Sequence, residues 1–98
     1  MKRSYKKAVR FYKAAAELWE GDFEGQCKKS STLFNCANCL DLCGEPQEAV
    51  EAYHGVIRIY KSLGLPKSEW EDCLRNLAIT LRAMGDTSGA ANALRGEI

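Results

Sequence analysis

The 98-residue chain has little proline, one histidine and no long hydrophobic run. No stretch approaches the roughly 20 apolar residues that a membrane-spanning helix needs, so we expect no membrane insertion. The basic N-terminus is not followed by the apolar core of a signal peptide, so we do not expect secretion. A net charge of +1 shows no overall acidic or basic bias. These absences favour one soluble domain over residues 1–98, which we expect to be cytoplasmic.

The apolar–polar alternation of β-strands is also missing, whereas apolar residues recur at helical spacing. Gly44 and Gly85 stand where helices should end, because glycine accepts the left-handed conformation of a helix C-terminus. Pro46 fits the first turn of the next helix, and Asp86 fits an N-cap. We therefore predict an all-α fold with about five helices, over residues 4–20, 26–43, 46–63, 67–84 and 87–96.

The chain repeats itself at an interval of about 41 residues, within the range of helical repeats. The segment TLFNCANCLDLCGE at 32–45 aligns with CLRNLAITLRAMGD at 73–86. The segments YKKAVRFY, PQEAVEAY and TSGAANAL align in the same register. Shared columns include Leu33 and Leu74, Asn35 and Asn76, Ala37 and Ala78, Leu40 and Leu81, and Gly44 and Gly85.

Each repeat predicts two antiparallel helices, which we name A (26–43 and 67–84) and B (the other three). Small and large apolar residues alternate along each helix, so neighbouring helices can approach closely. The order B-A-B-A-B predicts a short right-handed α-solenoid of about two and a half repeats. Because about three repeats are normally needed for stability, we expect either a fragment of a longer array or completion by a partner.

These columns resemble the tetratricopeptide repeat, with its large and small residues in helix A and an alanine and an aromatic in helix B. The columns that carry the resemblance are Leu33, Ala37, Leu40, Gly44, Ala49 and Tyr53, then Leu74, Ala78, Leu81, Gly85, Ala90 and Leu94. The period is longer than the common ~34 residues. It is similar to the lengthened repeats of kinesin light chains and Pins-type adaptors. The segment AVEAYHGVIRIYKSLG is also similar to the α-SNAP type of vesicle-fusion adaptor.

The resemblance implies a noncatalytic scaffold or adaptor whose concave face, lined by the A helices, binds a peptide or helix of a partner protein. An asparagine amide can donate to and accept from a peptide backbone at once, which draws attention to Asn35 and Asn76. A hydrogen bond that ties neighbouring repeats together is an equally good explanation for these asparagines. For Arg75 and Arg82, solvated charge is favoured over ligand contact. The expected partner-binding residues are Phe34, Asn35, Asn38, Asp41, Asp72, Arg75, Asn76, Ile79 and Arg82.

The spacing C-x-x-C-x-x-x-C of Cys36, Cys39 and Cys43 raises the alternative of a metal- or redox-responsive protein. In the repeat alignment, however, Cys36 falls on Leu77 and Cys43 on Met84, which are apolar core columns. A structural zinc site also needs four ligands, normally gathered from separate segments. We therefore favour core packing of reduced thiols, and we predict neither a metal nor a cofactor.

The first helix is basic on its polar side, but acidic residues follow it and no aromatic platform interleaves with its charges. We favour a solvated face over a nucleic-acid site, and we leave open self-association through exposed terminal helices. His54 is the one histidine, and no glycine loop suits a phosphate, so we do not expect an enzyme. The basic residues are Lys2, Arg3, Lys6, Lys7, Arg10 and Lys13.

Overall fold

A computed structural model describes residues 2–18 and 23–97. Within those ranges the chain forms five α-helices, no strand, and a 3₁₀ turn at Lys67–Trp70. Each helix packs against the next one along the chain, as expected for a solenoid of antiparallel helices. The prediction of an all-α, repeat-type fold is therefore confirmed. The helices are α1 (Lys2–Leu18), α2 (Phe23–Leu42), α3 (Pro46–Ser62), α4 (Glu71–Ala83) and α5 (Thr87–Leu94).

The helices form a thin slab, with Cα extents of 36 × 35 × 14 Å. The two A helices, α2 and α4, contact each other, whereas α1 and α3 do not pack together in the described part of the chain. The helix row is therefore tighter on the side of α2 and α4, which we call the concave face. The B helices lie on the opposite, convex face.

The two predicted glycine caps are confirmed, and they are equivalent in the two repeats. Gly44 has a φ of 83° and Gly85 a φ of 89°, in the left-handed region where side chains with a Cβ are strained. In each case the following amide bonds to a carbonyl five residues earlier: Glu45 N–H donates to the Leu40 carbonyl, and Asp86 N–H to the Leu81 carbonyl, both at 2.9 Å. The same chain reversal therefore recurs after α2 and after α4.

The expected helix at 67–84 begins differently from the prediction. Lys67–Trp70 forms a 3₁₀ turn, and the α-helix starts only at Glu71. Pro66 enters this turn in an extended conformation, with ψ at 158°. The turn buries Trp70, and Lys61 Nζ lies 5.8 Å from the centre of its ring. Packing of Trp70 against α3 accompanies this local change of helix type.

The core follows most of the repeat columns, but Leu94, in the column of the buried Tyr53, is 55% exposed, and Met84 also departs. Alanines at equivalent positions, such as Ala49 and Ala90, are buried, and Leu77 belongs to the same buried cluster. Met84 was expected in the core but is 40% exposed, whereas its counterpart Cys43 is buried. The difference is consistent with the packing, because α4 contacts α3 less extensively than α2 contacts α1.

Candidate protein-binding site

A cleft of about 390 Å³ opens on the concave face between α2 and α4. Its floor is polar, whereas two aliphatic side chains at its edges are largely exposed: Leu42 at 58% and Ile79 at 56%. Exposed aliphatic side chains beside a few fixed polar groups are typical of protein-binding surfaces. The cleft is lined by Asn38, Asp41, Leu42, Tyr53, Asn76 and Ile79.

The floor is a hydrogen-bonded cluster that joins three helices. The Tyr53 hydroxyl of α3 donates to Asn38 Oδ1 of α2 at 2.6 Å, and Asn76 Nδ2 of α4 donates to the same oxygen at 3.2 Å. Both lone pairs of Asn38 Oδ1 are thus used, while no other described residue is found to bond to its amide hydrogens or to Asn76 Oδ1. The cluster bridges the two A helices and brings the Asn38 and Asn76 amides together in the cleft.

Tyr53 is held in place by its surroundings as well as by this bond. It is 1% exposed, and the Phe34 ring meets it edge-on with ring centres 6.0 Å apart. The Cys73 thiol donates to the Tyr53 carbonyl at 3.6 Å. Burial, and then the nearby Asp41 carboxylate, raises the pKa of Tyr53 well above its ordinary value of 10.0. The hydroxyl therefore stays protonated and keeps donating to Asn38.

Four of the expected partner-binding residues meet in this cleft: Asn38, Asp41, Asn76 and Ile79. Phe34 lies at its margin, half-buried against Tyr53.

The remaining four expected residues lie outside the cleft lining. Asn35 and Arg82 are exposed on α2 and α4, and Arg75 forms an exposed ion pair with Asp72, with Nη1–Oδ1 at 3.7 Å. The repeated asparagine column therefore does not act as one set, because Asn76 bonds to Asn38 and not to Asn35.

Two residues that line the cleft, Leu42 and Tyr53, are not among the expected partner-binding residues. For Tyr53 the sequence predicts only the aromatic column of helix B. The signal available was its hydroxyl, because a buried tyrosine usually needs a hydrogen-bond partner. Asn38, on helix A of the same repeat, supplies that partner.

The cysteines lie where the repeat alignment predicts. Cys36 and Cys43 are buried, Cys39 is partly exposed, and all three are free thiols. Burial raises the pKa of Cys36 and of Cys39, which disfavours the thiolate needed for metal binding or redox chemistry. Among the described residues, no group of three or more His, Cys, Asp or Glu side chains is placed to hold a metal ion.

The fold and the cleft define an α-helical repeat protein. More specifically, residues 32–67 match the family model of the tetratricopeptide repeat, a stretch that includes both Asn38 and Tyr53. This repeat is typical of noncatalytic protein–protein interaction modules. A search of curated proteins and a search of solved structures found no match. No described helix is long and apolar enough to cross a membrane.

Proposed function

We propose that the chain is a scaffold or adaptor module that binds a peptide or helix of a partner protein in the concave cleft between α2 and α4. One observation carries the proposal: the Tyr53–Asn38–Asn76 cluster places fixed amide groups between the exposed Leu42 and Ile79 side chains. The amides suit the backbone of a bound segment, and the aliphatic edges suit its apolar side chains.

The proposed ligand carries an apolar side chain, and the residues beside that side chain face both acidic and basic groups of the protein. Asp41 of α2 lies in the cleft. The Asp72–Arg75 ion pair and Arg82 are exposed on α4. Because both signs of charge border the site, we expect affinity to depend mainly on the apolar contacts and only weakly on salt.

The interval of 41 residues between Gly44 and Gly85 supports placing the chain with lengthened repeats, similar to those of kinesin light chains and Pins-type adaptors. A vesicle-fusion adaptor of the α-SNAP type is a second candidate within the same class of protein, favoured by the segment at 49–64. Both candidates share the mechanism proposed for the cleft.

The experiment is a selection of peptides from a random display library on the purified, reduced protein, followed by affinity measurement on synthetic peptides. Selected peptides should share an apolar anchor, and Ile79→Asp should weaken their binding roughly tenfold or more, as expected for the loss of a central apolar contact. The double variant Asn35→Ala with Asn76→Ala should also weaken binding, and the two single variants will show which amide is responsible.

Glu69→Gln serves as the matched control, because this exposed residue lies on the 3₁₀ turn outside the cleft. Circular dichroism on each variant checks that the helices are retained. If selected peptides bind Ile79→Asp and the asparagine double variant as tightly as the parent protein, the cleft is not the binding site.

A further inference from the structure

We propose a second interaction surface on the convex face: the outward side of α3 binds the same side of α3 in a second copy of the chain, with the two helices antiparallel and crossing at Gly55. This surface is opposite the concave cleft, so self-association and partner binding can occur together.

The outward side of α3 is a continuous stripe. Its residues recur at alternating intervals of three and four, the spacing at which one helix face meets another helix. The buried residues Ala49, Tyr53 and Val56 lie on the opposite side of the helix. We define the α3 stripe as Glu48, Glu51, Gly55, Arg58 and Ser62.

When two copies of α3 lie antiparallel, the charges of one α3 stripe are complementary to those of the other. Glu51 lies four residues before Gly55, and Arg58 lies three residues after it; both are exposed. In an antiparallel pair centred on Gly55, Glu51 of each copy therefore lies opposite Arg58 of the other. A two-fold symmetric contact needs such self-complementary charges, because the same surface of both copies forms the interface.

Packing within the chain's own fold does not require glycine at position 55. It lies in the interior of α3, where glycine destabilises a helix relative to alanine. A Cβ built on Gly55 would meet only the end of the Arg58 side chain, at 3.8 Å. Since internal packing does not demand glycine here, we attribute it to the close approach of a helix from outside.

The convex face leaves the α3 stripe accessible. Neither α1 nor α5 packs against α3 in the described ranges, and an open groove of about 500 Å³ lies between α3 and α1 over α2. Glu48, Glu51, Gly55 and Arg58 of the α3 stripe form one wall of this groove. Across this groove the exposed Lys13 contacts Glu48, with Nζ–Oε2 at 3.7 Å, so Glu48 already has a partner within the chain. The self-complementary pair is therefore Glu51 with Arg58. Repeats added at either end of a solenoid would cover α1 or α5, but not the outward side of α3.

One helix pair buries less than the roughly 800 Å² per partner of a stable interface, so we expect weak, salt-sensitive dimerisation. Sedimentation equilibrium on the reduced protein, from about 10 μM to about 1 mM, covers the affinity expected for such a contact. Glu51→Arg and Arg58→Glu should each weaken the dimer roughly tenfold, because each places like charges opposite one another twice. The double variant Glu51→Arg with Arg58→Glu should restore it.

Two further variants separate association from folding. Gly55→Gln should abolish the dimer while the helical circular dichroism is retained, since glutamine is a better helix former than glycine. Glu69→Arg makes the same charge change outside α3 and should leave the dimer intact. A parent protein that stays monomeric up to about 1 mM would overturn the proposal. Failure of the charge-swapped double variant to dimerise would also overturn it. A dimer that is lost in Phe11→Ser on α1 but retained in the stripe variants would do the same.

Discussion

At the scale of single residues, Tyr53 links the core of the repeat to its candidate binding surface. Its ring is buried among three helices, and its hydroxyl reaches the cleft floor at Asn38. Tyr53→Phe should therefore lower the free energy of unfolding by about 1 kcal/mol, the usual contribution of one hydrogen bond. Urea unfolding at neutral pH measures it. Tyr12→Phe, a half-buried tyrosine on α1, is the matched control and should change stability much less.

His54 should make stability depend on pH. Burial, and then the positive charges of Arg58 and Lys61, lowers the pKa of His54 below its ordinary value of 6.5. As pH falls, the unfolded chain takes up this proton first, so stability present above pH 6.5 is lost as the solution becomes more acidic. Urea unfolding between about pH 7 and pH 5.5 should show this decline, because few other side chains titrate there. In His54→Gln the decline should be smaller; an unchanged slope would contradict the assignment.

The asparagine column illustrates what a sequence can and cannot predict about a site. The alignment of Asn35 with Asn76 predicted polar groups on the concave side, and Asn76 does lie in the cleft. Its partner, however, is Asn38, one turn further along α2. Which asparagine Asn76 reaches depends on the crossing angle and axial offset of α2 and α4. Those quantities follow from the summed sizes of many core side chains, so column matching alone cannot supply them.

At the scale of the elements, helix ends were the most predictable feature, because single residues determine them. The left-handed glycines after α2 and α4, the proline that opens α3 and the N-cap of α5 are all local chemistry. The 3₁₀ turn before α4 was not predictable in this way, since it accompanies the burial of Trp70 against another helix. Met84 was misplaced for a similar reason: its exposure depends on how closely α3 covers α4.

The N-cap of α5 gives a prediction for an element. Asp86 Oδ1 accepts a hydrogen bond from the Gly89 amide at 2.8 Å, in a helix of only eight residues. Asp86→Ala should therefore lower the free energy of unfolding by about 1 kcal/mol, and Asp86→Asn by less, since asparagine is also a good cap. Ser88→Ala, an exposed change in the same turn, should have little effect. Equal losses in Asp86→Ala and Ser88→Ala would show that the cap does not stabilise α5.

At the scale of the whole molecule, the helices should not all open at once, and α5 should open first. In the described part of the chain, α3 packs against helices on both sides, whereas α5 packs only against α4. Each helix gains stability from its immediate neighbours, so local opening should cost least at α5 and most at α2 and α3. Hydrogen exchange followed by mass spectrometry should show slow amides around Tyr53 and Val56 and faster ones in α5. Asp86→Ala should accelerate exchange in α5 and leave α3 unchanged. Uniform exchange across α3, α4 and α5 in both proteins would instead indicate one cooperative unit, in which the terminal helix is as firmly held as the centre.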